Sequence, residues 1–359
     1  MFSLLRHAGS ILWKRRPIQL TFFVTRKCNV RCPFCFYLRS TDHPEDDAEE
    51  LSLDEIKKIS RSLGRLLWLA FSGGEVYLRK DLVEVSRVFY AQNRPAVMLY
   101  STNGLLPESI RDCTEQILKH CPESVVVVKL SLDGLNAAHD ALRQTPGGFD
   151  KVMRSYRLLG ELLDQYPNFE LGINTVFCSE NQDRMDEIIE FVQGLERVET
   201  HTISLVRGNL ADAHYKDVDY RKYRHASERL ERNLKDKTSG IYRFKGARLK
   251  AAQDILQRRL IYRTALEQTR LTPCYAGRLN LVLTETGGVY PCETLTQSFG
   301  NVRDFDYDLR RVLRNEPAQA VMRSIQDNRC HCTHECYFMT NILFDPRRYP
   351  ALLKEYLQL

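Results

Sequence analysis

Short apolar runs alternate with longer amphipathic segments along the first part of the chain. Runs rich in β-branched and aromatic residues are typical of buried strands, and apolar residues at helical spacing between them are typical of crossover helices. The pattern predicts six strands, near residues 18–25, 66–72, 96–101, 124–132, 170–177 and 200–206. Strands that alternate with helices form parallel sheets, so we predict an α/β fold with a partial (β/α)6 TIM-like barrel.

The same pattern predicts helices after the strands. The first begins at a capping box, in which Ser52 and Glu55 precede the apolar positions Ile56 and Ile59. The others are predicted near residues 80–93, 107–119, 148–165 and 183–195. Each of the first five predicted strands is therefore followed by a helix, as a repeated βα unit requires.

Changes in this pattern divide the chain into a basic amphipathic start, the barrel, a charged helical connection, a smaller cysteine-containing unit and a helical tail. These segments are predicted at residues 1–17, 18–209, 210–270, 271–345 and 346–359. The smaller unit contains a hairpin-like stretch from Leu279 to Tyr290 that turns at Gly287 and Gly288.

Composition predicts a cytoplasmic protein. The chain has 359 residues, a formal net charge of +6 and 11 cysteines. It has no apolar run of the roughly 18 residues that a membrane span needs, and no secretory cleavage signal. The positive charge is spread along the chain and gives no strong nucleic-acid signal.

Residues 1–16 combine Trp13 with leucines and basic residues, which predicts a helix packed on its own domain or, alternatively, contact with a membrane surface.

Three closely spaced cysteines follow the first predicted strand. Cys28, Cys32 and Cys35 form a C-x3-C-x2-C motif, and in a reducing compartment such spacing indicates metal ligation. Thiolates are the usual ligands of iron-sulfur clusters. A structural zinc site is the alternative, but it needs a fourth ligand that is not present locally. Three ligands on a four-iron cluster leave one iron open to a small molecule.

This spacing, with Phe34 before the last cysteine, resembles the cluster motif of the radical S-adenosylmethionine (radical SAM) superfamily. The resemblance implies that Cys28, Cys32 and Cys35 are the catalytic metal ligands and hold a [4Fe-4S] cluster whose open iron binds S-adenosylmethionine. It also implies an electron donor such as flavodoxin or ferredoxin. Reductive cleavage of the cofactor would give a 5'-deoxyadenosyl radical, which abstracts a hydrogen atom from the substrate.

Polar residues at the ends of the later strands match the same family. Glu75 closes a Gly-Gly-Glu sequence that resembles the family's GGE motif and would accept a hydrogen bond from the cofactor's amino group, although Val76 replaces the usual proline. Arg143 resembles the arginine that pairs with the cofactor carboxylate. The resemblance assigns the cofactor to Gly73, Gly74, Glu75, Ser101, Asn103, Ser131, Asp133, Arg143 and Asn174. Arg207 is expected at the same edge. A strand-ending turn is the alternative explanation of the polar groups after the third and fourth strands, and a structural role is the alternative for Asn174 and Arg207.

Five more cysteines follow Arg270, namely Cys274, Cys292, Cys330, Cys332 and Cys336. The run from Cys274 through Gly287 to Cys292 resembles the opening of the family's SPASM and twitch extensions, which hold auxiliary clusters. A full SPASM unit has seven cysteines, whereas this chain has five here. The resemblance therefore implies one auxiliary [4Fe-4S] cluster rather than two. Its expected ligands are Cys274, Cys292, Cys336 and either Cys330 or Cys332, with zinc as the alternative metal. The remaining cysteines, Cys113, Cys121 and Cys178, are predicted to be core residues.

The substrate stays open at this stage, because enzymes that resemble this chain modify peptides, proteins, sugars, nucleosides and lipids. The type of extension favours a peptide or protein. Only about 17 residues precede the first predicted strand, which is too few for a leader-binding domain, so dehydrogenation or rearrangement of a small molecule or lipid is the alternative. A non-catalytic iron-sulfur or zinc-binding protein is a third hypothesis, but it does not explain why Gly73, Gly74, Glu75 and Arg143 occur together.

Overall fold

A computed structural model describes residues 3–37, 49–327 and 330–359. The strands of the barrel are β1 Gln19–Thr25, β2 Trp68–Gly73, β3 Val97–Thr102, β4 Val125–Ser131, β5 Phe169–Phe177 and β6 Thr200–Leu205. They pair in chain order, and every pair is parallel. The predicted partial barrel is confirmed, and each strand lies within two residues of its predicted bounds.

Helices α1 to α6 connect or follow these strands. They span Leu53–Ser62, Leu82–Asn93, Pro107–His120, Ala137–Arg143, Gly148–Gly160 and Met185–Gln193. The capping box at the start of α1 is confirmed, because Ser52 accepts a hydrogen bond from the Glu55 backbone while the Glu55 side chain accepts one from the Ser52 backbone. Helix α5 ends five residues before its predicted end, and the 3-10 turn Glu161–Asp164 continues it. The pattern did not predict α4.

The C-terminal part continues the barrel sheet. Strand β7, Asn280–Leu283, pairs in parallel with β1, and β8 and β9, Gly288–Tyr290 and Gly300–Asn301, extend it antiparallel. The sheet order is β6-β5-β4-β3-β2-β1-β7-β8-β9, so the barrel is open. The predicted hairpin is confirmed, but its attachment beside β1 was not predicted. Hydrogen bonds between β1 and β7 thus join the cysteine-rich extension to the strand that precedes the first cysteine motif.

Six further helices cover this arrangement. They are α7 Tyr220–Lys235, α8 Ala247–Glu267, α9 Leu309–Val312, α10 Glu316–Asp327, α11 Glu335–Leu343 and α12 Tyr349–Gln358. Helix α8 packs against α7, α11 and α12. No helix in the described ranges is long and apolar enough to cross a membrane.

The described residues at the start of the chain form a 3-10 helix over Leu4–Ile11 rather than a longer amphipathic helix. Gly9 and Ser10 have low helix propensity, which accounts for the early end. His7 is buried, whereas Leu5, Leu12 and Trp13 are 82%, 72% and 64% exposed. The segment therefore packs on its own domain through His7, Ile11 and Lys14, which lies 5.0 Å from the Tyr275 ring centre, and leaves large apolar groups in solvent.

Candidate active site

A cavity of about 330 Å³ lies at the C-terminal ends of the barrel strands and continues into the barrel interior. Its lining contains all three cysteines of the first motif. It also contains most of the residues assigned to the cofactor from sequence, namely Gly73, Gly74, Ser101, Asn103, Ser131, Arg143 and Asn174. Residues from the loop after β1, from the strands β2 to β5 and from α4 therefore meet in one space, as expected for the active end of such a fold.

The first cysteine motif forms a loop directly after β1. The backbone N–H of Cys35 donates to the Cys32 carbonyl over 3.1 Å, and the Asn103 amide lies 3.8 Å from the Cys28 sulfur. Burial raises the pKa of the Cys28 thiol, and it raises the pKa of the Cys32 thiol to about 11 although the Arg143 guanidinium opposes this rise. Thiols held protonated by burial become thiolates when a bound metal supplies positive charge.

The cysteines fit an iron-sulfur cluster better than a single ion. No three His, Cys, Asp or Glu side chains in the described part of the chain are arranged to hold one metal ion. In a four-iron cluster each cysteine ligates a different iron, so the sulfurs need not converge on one point. Structural zinc needs ligands that do converge. Cys28, Cys32 and Cys35, facing one cavity, therefore suit a cluster with an open position.

Two glycines bring the end of β2 against the cysteine loop. The Gly74 and Glu75 N–H groups each donate over 2.8 Å, to the carbonyls of Thr25 and Lys27. Gly73 has a φ of +122°, and a Cβ on Gly74 would lie 2.2 Å from the Lys27 carbonyl oxygen. Only glycine allows this backbone and this approach. The Gly-Gly pair thus holds the main chain of β2 at the cavity wall.

The Glu75 side chain does not face the cavity, which corrects the sequence-based expectation. It is completely buried and accepts three hydrogen bonds, from the Thr102 hydroxyl at 2.7 Å, the Asn103 N–H at 2.8 Å and the Tyr77 N–H at 3.2 Å. Because its oxygens are occupied by these donors, the carboxylate joins β2 to the end of β3 instead of pointing towards a ligand. The cavity wall here is backbone.

Asp133 is a second correction, because it is also completely buried and lies outside the cavity lining. Its carboxylate accepts from the Arg143 Nε and from the Val176 N–H, both over 2.7 Å. Arg143 does line the cavity, and the structure gives its two terminal nitrogens no hydrogen-bond partner among the described residues. Asp133 therefore orients the guanidinium, whose free edge suits a carboxylate.

The remaining predicted residues lie where the sequence placed them. Ser101 and Ser131 line the cavity at the ends of β3 and β4. The Asn103 amide nitrogen donates to the Asn29 side chain over 2.7 Å, and the Asn174 side-chain oxygen accepts from the Ser204 hydroxyl over 3.1 Å. These contacts leave polar groups on three adjacent strands available along one wall.

The extension completes the rim, and sequence reasoning missed the acidic residues that do so. Arg207 lies 5.0 Å from the Phe36 ring centre and forms ion pairs with Glu293 at 3.3 Å and Glu335 at 3.6 Å. Glu293 also lies 2.7 Å from the buried His334. Each glutamate directly follows or precedes a cysteine of the extension, which is the signal that could have indicated them. These ion pairs connect the end of β6 to the extension.

A smaller cavity of about 170 Å³ lies within the extension and is lined by Cys274, Cys292, Cys330 and Cys332. Cys336 instead lines the main cavity, so its expected place among the auxiliary ligands is not supported. The reason is the start of α11, where the His334 side chain accepts the Cys336 N–H and caps the helix. Cys113 packs against the hydrophobic core, and Cys121 and Cys178 are buried, as predicted.

Comparison with known proteins agrees with this geometry. Residues 22–192 match the family model described as the radical SAM superfamily. The AdoMet-dependent heme synthase of Methanosarcina barkeri is 25% identical over 328 residues, which cover 88% of this chain and 87% of the relative. The sporulation killing factor maturation protein SkfB of Bacillus subtilis is 27% identical over 184 residues, or 51% of this chain and 42% of SkfB.

Among solved structures, Streptococcus suis SuiB bound to S-adenosylmethionine superposes with a TM-score of 0.61 at 16% identity. The match covers 89% of this chain and 71% of SuiB, and it shows a shared fold. The cysteine loop, the Gly-Gly pair and the open parallel barrel occur together in a chain whose barrel matches the family model. The barrel of this chain, over residues 22–192, belongs to the radical SAM superfamily, whose enzymes use a [4Fe-4S] cluster and S-adenosylmethionine.

Proposed function

We propose that this enzyme reductively cleaves S-adenosylmethionine and abstracts a hydrogen atom from a peptide or protein substrate. The observation that carries the proposal is a single cavity in which Cys28, Cys32 and Cys35 face Arg143 and the β2 glycines, with the extension as its rim. A peptide is supported by the maturation-protein relative and by SuiB, which has also been solved with its precursor peptide.

Each group of the cavity has a separate task in this proposal. When bound, the cluster and S-adenosylmethionine supply a 5'-deoxyadenosyl radical. Cys28, Cys32 and Cys35 hold the cluster. The Gly73–Gly74 backbone accepts a hydrogen bond from the cofactor's amino group, and the Arg143 guanidinium binds the cofactor's carboxylate. The rest of the cofactor is oriented by polar side chains at the ends of β3, β4 and β5, namely Ser101, Asn103, Ser131 and Asn174. Asp133 and Glu75 act as positioning residues behind this wall.

The walls of the cavity also exclude water, which matters because a carbon radical must react only with the intended hydrogen. The aromatic rings of Phe34 and Phe36 line the space beside the cysteines, and the Arg207 ion pairs close the side next to the extension. The protein's contribution to this chemistry is therefore orientation and exclusion rather than acid-base catalysis.

The second cavity supports one auxiliary [4Fe-4S] cluster on Cys274, Cys292, Cys330 and Cys332. Anaerobic reconstitution should give about eight irons per chain. Cys332→Ser should remove about four of them, whereas Cys336→Ser, in the other cavity, should remove none. A total of about four irons with one zinc would overturn the auxiliary cluster, and equal iron loss in both variants would overturn the ligand assignment.

The central test is formation of 5'-deoxyadenosine by the anaerobically reconstituted protein with dithionite and S-adenosylmethionine. The matched control is the triple variant Cys28→Ala, Cys32→Ala, Cys35→Ala. Product from the wild type alone would support the proposal. A wild-type protein that carries its cluster and binds the cofactor, but forms no more product than the triple variant with any candidate substrate, would refute it.

A small-molecule substrate is the second candidate. It is favoured by the heme synthase relative, because that similarity extends along nearly the whole of both chains whereas the SkfB match covers about half of this one. Incubation with candidate peptides and with iron porphyrins, followed by mass spectrometry of each, separates the two classes. An electron donor such as flavodoxin or ferredoxin and a cytoplasmic location belong to both versions of the proposal.

Contact between residues 1–16 and a membrane surface stays a prediction. It is supported by the exposed side chains of Leu5, Leu12 and Trp13 beside the basic residues of that segment. Co-sedimentation with anionic liposomes tests it, and equal sedimentation of the wild type and a Leu12→Ser, Trp13→Ser variant would contradict it.

A further inference from the structure

The interior of the barrel contains a lysine. Along β4, Val126, Val128 and Leu130 belong to the hydrophobic core, whereas Val127, Lys129 and Ser131 line the cavity. Ser131 lies at the rim, so Lys129 lies one layer deeper, inside the barrel. Barrel interiors are usually packed with branched apolar side chains. A long cationic side chain at this position therefore needs an explanation.

The neighbouring strands are built to accommodate it. Gly172 of β5 pairs with Lys129 in register, and a Cβ on Gly172 would lie 2.5 Å from the Lys129 Nζ. On β6, the ammonium group donates to the Thr200 hydroxyl, to the Thr202 hydroxyl at 3.3 Å and to the Thr200 carbonyl at 3.4 Å. Three neutral oxygens and an absent side chain thus fix its position.

No carboxylate pairs with Lys129 among the described residues, although the cavity is partly acidic. Asp254 of α8 also lines the cavity, but it forms an ion pair with Lys250 and accepts a hydrogen bond from the Tyr242 hydroxyl over 3.0 Å. The titratable groups that act electrostatically on Lys129 are Glu170 of β5, Glu199 before β6, His201 of β6, and Lys250 and Asp254 of α8.

Burial lowers the pKa of Lys129 to about 7, because an ammonium group removed from water is costly unless an anion compensates it. The cavity floor also contains Trp68, whose indole N–H is buried without a hydrogen-bond partner among the described residues. A buried cation and an unused N–H donor therefore line the same cavity. The ammonium group, held beside β6, suits a ligand group that is an anion and a hydrogen-bond acceptor.

We propose that Lys129 binds a carboxylate group of the substrate inside the barrel, where the carboxylate replaces the longer contacts of the ammonium group to the Thr202 hydroxyl at 3.3 Å and the Thr200 carbonyl at 3.4 Å. The inference rests on the proposed function in one respect, namely that the substrate occupies this cavity. It restricts the substrate class, because a peptide would present an Asp, a Glu or a C-terminal carboxylate, and a small molecule would be an organic acid. The radical then acts on a carbon near the cluster while the carboxylate is held deeper in the barrel.

Direct binding tests the proposal without knowledge of the substrate. The probes are acetate and succinate, with acetamide and succinamide as neutral analogues of the same shape, at constant ionic strength. They are titrated into the reconstituted full chain at pH 6.5, and the lysine side chains are followed by NMR. We expect saturable binding of the carboxylates, a shift of the Lys129 ammonium signal towards the protonated form, and no response to the amides.

Two variants decide the outcome. Lys129→Met keeps the length of the side chain and removes its charge, so carboxylate binding should weaken at least tenfold. Lys119→Met, at an exposed lysine of α3 whose side chain is 56% exposed, is the matched control and should bind like the wild type. Equal binding by Lys129→Met, or a wild type that does not distinguish carboxylates from amides, overturns the proposal.

If Lys129→Met does not fold, the Lys129 signal of the wild type is sufficient, because a bound carboxylate must raise the pKa of that ammonium group. A Lys129 pKa that acetate and succinate leave unchanged overturns the proposal in that case. These measurements need no reductant. Failure of 5'-deoxyadenosine formation would therefore refute the proposed function separately, and failure of carboxylate binding would refute only this inference.

Discussion

The contact between Asp133 and Arg143 allows the sharpest prediction about the site. Both side chains are buried and lie 2.7 Å apart, and only Arg143 faces the cavity. If Asp133 positions the guanidinium, Asp133→Asn should weaken binding of S-adenosylmethionine without any change in the residues that line the cavity. The same substitution should destabilise the fold, because it leaves a buried cation without its counterion.

The size of the destabilisation follows from the burial of the pair. Removal of one partner from a buried ion pair costs about 3–5 kcal/mol. Unfolding entropy is about 2.1 cal/mol/K per residue, so for 359 residues the melting temperature should fall by about 4–7 °C. An exposed ion pair gives the matched control. Glu187→Gln, which removes the surface partner of Arg184, should cost less than about 1 kcal/mol.

The assay is a double-mutant cycle with Asp133→Asn and Arg143→Met, read by anaerobic thermal unfolding and by binding of S-adenosylmethionine. The double variant should be more stable than the sum of the single effects predicts, since it contains no unpaired charge. Coupling should reach about 2 kcal/mol. If the two effects add within about 0.5 kcal/mol, or if Asp133→Asn binds the cofactor like the wild type, the positioning role is wrong.

Three more predictions concern the backbone, the link to the extension and the barrel interior. Gly74→Ala should abolish cofactor binding or folding, because its Cβ would lie 2.2 Å from a carbonyl oxygen. The control Gly64→Ala, with nothing within 4 Å of its Cβ, should be neutral. Equal melting and binding curves for the two variants would contradict this prediction. The Arg303 hydrogen bond lowers the pKa of Glu55 to about 2, so the stability that it contributes is present above pH 4.5 and is lost as the pH falls towards 2. This contribution should be absent in Arg303→Met. Parallel acid-unfolding curves for the wild type and Arg303→Met would exclude it. The pKa of Lys129 is lowered from 10.5 to about 7. The stability of the wild type relative to Lys129→Met should therefore increase as the pH rises from 7 to 10.5. A difference between the melting temperatures of the two proteins that does not change over this range would refute the prediction.

The sequence predicted the parts of the structure that depend on local pattern. Strand bounds follow from alternating and apolar runs, and the start of α1 follows from its capping box. The cysteine loop and the Gly73–Gly74 pair were predictable because their spacing and residue type are themselves the chemical requirement. Their convergence in one cavity follows from the parallel barrel, which brings the C-terminal ends of the strands together.

The direction of a side chain was less predictable than its position along a strand. Glu75 and Asp133 lie at the predicted strand ends, but hydrogen bonds from neighbouring backbone turn both into the protein. Cys336 follows the other cysteines in sequence, yet the cap of α11 places it in a different cavity. Lys129 looked like one residue of an apolar strand, because a period of two does not distinguish the barrel interior from the helix-covered side.

The pairing of β1 with β7 has a consequence for synthesis of the chain. These strands are hydrogen-bonded neighbours, yet the ribosome makes β1 about 260 residues earlier. Until residues 280–283 emerge, one side of β1 remains an exposed strand edge, which can pair with other chains. The nascent barrel must therefore stay protected from aggregation until the extension arrives, and a truncation before residue 280 removes the natural cover of the strand that leads into the cysteine loop.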